Sequence, residues 1–497
     1  MNPIDDIKDI LRGALASLGG FGGRMLARLI LMIVAGQLYG AAALGVLGQV
    51  AAITEILAAI AVIGLKRKLL DFLSEPSNRA THLTSTVKEA IITTFIVACV
   101  MSLLFAAAWP FLFPDITMPF ALYFAVPAIA FAEIGGTAIR FKRIIRWEVI
   151  ARCVMEPWAF LTVSLLYYYG INATGTGLVA AYGFSCIAAA IGISFGLHHA
   201  YDLPTLMRAP VNRKNLYLII KRSWQAGVTD IGVIMFRRLD ILILSLLAGH
   251  QITGAYYMAQ QIVTVPHKIH KLFEPMMAPV IAKLHHAKKP DRIGAKLAGI
   301  CRWVFMLQLA LTVPFAMFAG HILGLFNDVF FTSALVLVIL LFAELIDGSF
   351  ALTETPLIYA KPSVPPRLVA MTLLIEAIAV AGLAVWWGAP GAAAGFFVAM
   401  LCLNTMRLFS LKKHMNIRVI TVHYLRPITF ALIITALLFT AQNLVPVANG
   451  YIVGGTVISA IGLFCVMIKF WALSPLDKQV LSELKAHKAV SKQAKLS

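Results

Sequence analysis

The chain has 497 residues, of which 60% are hydrophobic and only 13% charged, well below the roughly 25% charged content of soluble domains. Its mean hydropathy is +0.85, which excludes a soluble globular protein and indicates a polytopic membrane protein. In a soluble chain a net charge of +19 would suggest nucleic acid as a partner; in a membrane protein the distribution of that charge along the chain has to be read first.

Hydropathy and turn residues predict fourteen spans, at about 12 to 39, 42 to 65, 89 to 112, 118 to 138, 150 to 170, 175 to 198, 224 to 248, 252 to 280, 299 to 320, 331 to 358, 366 to 387, 391 to 411, 427 to 442 and 449 to 471. The opening MNPIDDIKDILRG is polar and mixed in charge, and the apolar stretch after it outruns a signal-peptide core. No cleavage is expected, and Met1 is expected on the cytosolic side. With that orientation the inner connections carry the basic residues, among them Lys66, Arg67, Lys68, Arg140, Lys142, Arg143, Arg213, Lys214, Lys283, Lys412 and Lys413. The outer connections, around 40, 113 to 117, 171 to 174, 249 to 251, 321 to 330, 388 to 390 and 443 to 448, contain no Lys or Arg. This is the positive-inside pattern, and it accounts for the net charge without nucleic acid. It predicts a multi-pass membrane protein with both termini cytoplasmic. Trp109, Trp386 and Trp387 fall at predicted outer ends and Trp224, Trp303 and Trp471 at inner ends, where amphipathic rings favour headgroups. The six cysteines lie in or beside apolar segments without a CxxC pair and read as buried, reduced packing residues.

A repeat halves the chain. ARLILMIVAGQLYGAAALGVLGQ joins the first two spans, and FRRLDILILSLLAGHQITGAYYMAQ joins the seventh to the eighth. Gly40 and Gly45 are five apart, as are Gly249 and Gly254, and twelve residues before the first glycine stands Arg28 in one half and Arg237 in the other. An even number of spans separates the hairpins, so the copies run in the same direction. The expected architecture is an all-α membrane protein: two parallel six-helix lobes around a central cavity, with an added C-terminal helix pair. The boundaries are residues 1–200 for helices 1 to 6, 201–222 for a polar cytoplasmic linker, 223–420 for helices 7 to 12, 421–473 for helices 13 and 14, and 474–497 for a basic tail.

Charges inside apolar spans are the candidate site, because a mid-span Arg or Asp costs about 2.5 to 3.5 kcal/mol on insertion scales and faces the bundle interior. Arg24 and Arg28 share a face of span one, with Glu55 in span two as the nearest candidate partner. In span seven Asp230 shares a face with Arg237, and Asp240 stands three residues beyond Arg237, within pairing distance on a helix. Arg237 and the adjacent Arg238 cannot share a face, so one reaches the cavity while the other pairs within the bundle. Together these residues would make a cationic site suited to an anion.

Span ten carries Glu344, Asp347 and Glu354 on one face, which reads either as an ion-coupling face, with Asp230, or as counter-charge to arginines opposite. Glu133 and Glu376 are isolated acidic positions. His267, His270 and Glu274 have metal-ligand spacing on a helix, but Lys268 and Lys271 interrupt them, so they read as a basic inner vestibule with no metal assigned. No cofactor is expected.

The hairpin AGQLYGAAALGVLGQVAAITEILAAIAVIGL, the later RRLDILILSLLAGHQITGAYYMAQQI and the PVIAKL at 279 to 284 resemble the corresponding stretches of bacterial polysaccharide flippases of the multidrug/oligosaccharidyl-lipid/polysaccharide exporter superfamily. The resemblance spans nearly the whole chain in span count, repeat and hairpin position, through loose glycine and aspartate motifs. It implies alternating access by two lobes that move an undecaprenyl-pyrophosphate-linked oligosaccharide from the cytoplasmic to the periplasmic leaflet, for exopolysaccharide, O-antigen or capsule synthesis. Membrane lipids, a polysaccharide polymerase and glycosyltransferases of the same pathway are the implied partners. By position, headgroup binding falls on Arg28 and Arg237, with Arg24 assisting. A lipid II flippase and a cation-coupled drug exporter of the same superfamily are the alternatives. An enzyme is not expected, since Asp115 and Asp328 are the evident outer carboxylates and neither has a partner for acid and base work.

Overall fold

The computed structural model describes residues 23, 24, 26–74, 80–171, 175–287, 290–444 and 450–468. The predicted start of span one, Lys288 and Lys289, Trp471 and the basic tail lie outside the described residues. Among the described residues the regular structure is all helical. Eleven helices are long and apolar enough to cross a membrane, and a shorter apolar one covers Ile452–Met467. Two of the eleven, Leu26–Leu73 and Leu239–Lys271, are hairpins broken at Gly40 and Gly249. Counting each as two and adding the short helix gives the fourteen spans expected from hydropathy.

The chain divides into two compact units, Met1–Met258 and Ala259–Ser497. The first contains α1 (residues 26–34), α2 (Gly40–Val62), α3 (Leu65–Leu73), α4 (Ala80–Leu112), α5 (Ala125–Phe141), α6 (Ile145–Ile150), α7 (Glu156–Ile171), α8 (Gly177–Tyr201), α9 (Leu203–Arg208) and α10 (Arg213–Met235). It also takes the first part of α11 (Leu239–His286). Helix α8 packs on α5 and α7, and α2 packs on α4 and α5, around Val50, Phe105, Phe113, Leu122 and Val126. Two π-turns interrupt this unit, Ala35–Tyr39 before α2 and Ala151–Met155 before α7. Such turns re-aim side chains along an otherwise regular helix. The first sends the Tyr39 hydroxyl to donate to the Ser164 carbonyl at 2.5 Å.

The two repeat hairpins meet inside this unit. Gly40 has φ 80° and ψ 179°, and Gly249 has φ 75° and ψ 173°, the same glycine-specific backbone in both copies. The second glycine of each motif serves close approach. A Cβ on Gly45 would lie 1.8 Å from the His250 carbonyl oxygen, and one on Gly254 would lie 1.7 Å from that of Ala41. Because Ala41 follows Gly40 as His250 follows Gly249, the contact is reciprocal, as a two-fold relation between the repeats requires.

The second unit holds the rest of α11, then α12 (Pro290–Met317), α13 (Ala319–Gly324), α14 (Ala334–Phe350), α15 (Glu354–Ala360), α16 (Val364–Trp387), α17 (Ala389–Met415), α18 (Leu425–Leu444) and α19 (Gly450–Met467). Helix α17 packs on α14 and α16, and α18 and α19 pack against α12, where Phe430, Ile434, Val457 and Phe464 close a core with Met306 and Phe318. Gly348 lets α12 and α14 cross closely, since a Cβ there would lie 1.9 Å from Nε2 of Gln308.

One interface expectation changes, and so does one for the cysteines. Trp386 and Trp387 are largely exposed at the end of α16, but Trp109 is buried between Phe105 and Phe113, and its indole N–H donates to the Ile116 carbonyl at 2.6 Å. Its role is to hold the chain as it leaves α4. Among the cysteines, all six of them free, Cys186 and Cys301 are buried and Cys465 is exposed on α19.

Candidate functional site

Arg28, from α1, lies within electrostatic range of Arg24, Arg238, Glu55 and Tyr257. Arg238 grips Glu55 with both ends of its guanidinium, Nε to Oε2 at 2.8 Å and Nη2 to Oε1 at 2.9 Å. Arg24 Nη2 stands 3.8 Å from Oε1 of Glu156. Among the described residues, three guanidiniums, of Arg24, Arg28 and Arg238, stand near two carboxylates, Glu55 and Glu156. Planar guanidinium donors in such a setting suit phosphate or carboxylate ligands, which they bind by paired hydrogen bonds.

The local backbone explains which arginine joins Arg28. Residues 236–238 form a turn between α10 and α11, where Arg237 N–H donates to Ile234 at 3.0 Å and Arg238 N–H to Met235 at 2.9 Å. These are three-residue steps in place of the four-residue steps of an α-helix, and they tighten the chain and shift the register of the side chains. Repeat matching points to Arg237; the structure brings Arg238, one residue later, to Glu55 and Arg28, while Arg237 is half-buried in the turn. Of the two arginines, Arg238 is the one that pairs with Glu55. Glu55, expected beside Arg24 and Arg28, is in the cluster but bonded to Arg238.

Asp240 does not line a surface. It is fully buried in the first turn of α11, where its carboxylate accepts the Tyr256 hydroxyl at 2.5 Å and the Ile241 N–H at 2.8 Å. A carboxylate at a helix start is favoured by unsatisfied N–H groups and the helix dipole, so Asp240 anchors α11 to its own second limb. Asp230 pairs with Arg67 at 2.7 Å. Glu133, isolated in the sequence, is bridged by Lys66 and Arg152, both at 2.8 Å. Arg140 meets Glu148 at 3.0 Å. These pairs tie α3 to α5 and α10, and α5 to α6 and the π-turn before α7.

In the second unit the acidic face of α14 does meet a guanidinium, the alternative the sequence left open. Arg407 of α17 bonds Asp347 at 3.2 Å and also Glu354, and Asn404 donates to Asp347 at 3.3 Å. Glu344 takes His267 at 2.7 Å. Glu376 is fully buried in α16. Glu274 pairs with the exposed Lys271, so it does not join His267 and His270.

Arg152, Glu156 and Arg407 are site residues that sequence reasoning passed over. Each is a charge inside a predicted span, Arg152 and Glu156 four apart in span five and Arg407 in span twelve. The criterion applied to spans one and seven would have found them.

No family model and no curated protein matches the sequence. Among solved structures, the lipid II flippase MurJ in an inward closed conformation superposes with TM-score 0.71 at 13% identity, over 92% of this chain and 99% of that one. An inward-facing multidrug resistance MATE transporter of the MOP superfamily gives TM-score 0.58 at 15% identity, over 79% of this chain and 95% of that one. A MOP superfamily transporter from Pyrococcus furiosus, whose description reports a binding pocket of reverse polarity, gives 0.52 at 13% identity, over 82% of this chain and 96% of that one. The neighbours are transporters and a flippase, and this chain is a multi-pass membrane protein with the fold of the MOP superfamily transporters.

Proposed function

We propose that the protein is a flippase for a lipid-linked oligosaccharide, moving an undecaprenyl-pyrophosphate-linked sugar from the cytoplasmic to the periplasmic leaflet of the inner membrane during polysaccharide synthesis. The observation that carries this reading is the gathering of Arg28 and Arg238, each from the first hairpin of its repeat, near one carboxylate, Glu55, which Arg238 grips. A pyrophosphate must exchange its water for paired donors and positive charge to enter a membrane protein, and guanidinium supplies both. Arg24 adds a third cation. The lipid tail remains in the bilayer while the head crosses by alternating access.

A drug exporter would need acidic groups open to cationic compounds, and the arginine cluster disfavours it. A lipid II flippase is the second reading, favoured by the superposition on MurJ over nearly the full length of both chains; its substrate carries the same pyrophosphate, so the cluster serves either cargo. Binding to the purified protein separates the readings. An undecaprenyl-pyrophosphate oligosaccharide is expected to bind at least tenfold more tightly than lipid II, and both far more tightly than a cationic dye. Tighter binding of lipid II would transfer the assignment to that cargo, and binding of the dye alone would exclude a pyrophosphate carrier.

A further inference from the structure

We infer that His267, Glu344 and Asp347 form a binding site for a divalent transition-metal ion in the second unit. Three ligand atoms, one from each residue, lie within 4.8 Å of one another, and all three residues are buried. His267 is on α11, and Glu344 and Asp347 stand three apart on one face of α14. The set draws on two of the three acidic positions of the span-ten face and on one histidine of the α11 motif, but not on the Glu274 that the sequence spacing suggested.

Neighbouring side chains hold the ligating groups in place by hydrogen bonds, as metal sites require. Arg407 and Asn404 both donate to Oδ1 of Asp347, so a cation held through Oδ2 leaves that carboxylate oriented. His267 offers Nδ1 on the side of Glu344, 2.7 Å from Oε2. Bonds of about 2.1 Å to a tetrahedral ion place ligand atoms about 3.4 Å apart. From separations within 4.8 Å, that spacing would require rotation of the imidazole away from Glu344 and of Asp347 inward.

The imidazole selects the class of ion. Sodium, magnesium and calcium take oxygen ligands, whereas one nitrogen with two carboxylate oxygens suits zinc or manganese. The site is independent of the cargo proposed above, because it lies in a different unit from Arg28 and Arg238 and its test needs no transport.

The full-length protein, purified in detergent and treated with chelator, is titrated with ZnCl2, and bound zinc is measured by elemental analysis after dialysis. One zinc per chain is expected, with affinity reduced at least tenfold in His267→Gln and in Glu344→Gln and unchanged in His414→Gln, which removes an exposed histidine. A hundredfold excess of NaCl is expected to leave zinc bound. Cobalt(II) added to the wild type is expected to give the visible ligand-field absorption of a low-coordinate nitrogen and oxygen site, a readout that does not depend on the variants folding. Zinc binding no greater than in His267→Gln, displacement of zinc by sodium, or a cobalt spectrum indistinguishable from the aqueous ion would overturn the assignment.

Discussion

Arg238→Ala is expected to weaken binding of a pyrophosphate headgroup by about a hundredfold, whereas Glu55→Ala is expected to leave it unchanged or strengthen it. The two residues form a single ion pair with two contacts, at 2.8 and 2.9 Å, so a purely structural role would make the two substitutions equivalent. Function separates them by sign. Arg238→Ala removes a cation and frees the Glu55 carboxylate to offset Arg28, while Glu55→Ala removes an anion and leaves both arginines to the ligand. A unit charge about 5 Å from a phosphate at an effective dielectric near 20 contributes about 3 kcal/mol, which is the hundredfold. Both variants should lose stability. The side chain of Glu55 is 37% exposed and that of Arg238 21%, so the loss is about 1 to 3 kcal/mol, below the 3 to 5 of a fully buried broken pair. Headgroup affinity and thermal unfolding in detergent, measured on the same preparations, check both parts.

The second large effect is on folding. Gly45→Ala places a Cβ 1.8 Å from a backbone oxygen of the facing hairpin, and Gly254→Ala places one at 1.7 Å. Ordinary contact between these atoms needs more than 3 Å, and neither obstacle is a flexible side chain, so two helix ends must move apart by over an ångström. The expected cost is at least about 3 kcal/mol for each, the upper range for overpacking, and enough to deplete the folded protein. Because both substitutions open the same contact, the double variant should cost less than the sum. Gly40→Ala is a different case: space around it is open, and the cost of about 1 to 3 kcal/mol comes from φ 80° alone. Thermal unfolding and the yield of monodisperse protein test the ranking. A Gly45→Ala protein with the wild-type transition would show that the hairpins do not meet as described.

These two results also mark what the sequence could and could not tell. The hairpins were legible because backbone conformation acts locally: a chain that must turn at φ 80° or 75° takes glycine whatever surrounds it, and a motif repeated at the same spacing reveals itself by comparison. The register of the arginines was not, because the tightened turn at 236–238 shifts the side chains after it. Counting residues back from Gly249 assumes an unbroken helix and selects Arg237. The partners of the acidic face were invisible for another reason: Glu344 and His267 are 77 residues apart, and Asp347 and Arg407 60, so their meeting depends on how α11, α14 and α17 pack. Intrahelical spacing instead favoured His270 and Glu274, which are nearby in sequence.

The central claim is that an anionic, lipid-linked headgroup crosses the membrane on the arginines of this protein. The most direct measurement is the movement of a labelled undecaprenyl-pyrophosphate oligosaccharide between the leaflets of proteoliposomes, comparing wild type with Arg28→Ala and Arg238→Ala. The account predicts rapid movement with wild type and a loss of at least tenfold in each variant that remains folded. Wild-type rates in both variants, or movement by the wild type no faster than in protein-free vesicles, would contradict it.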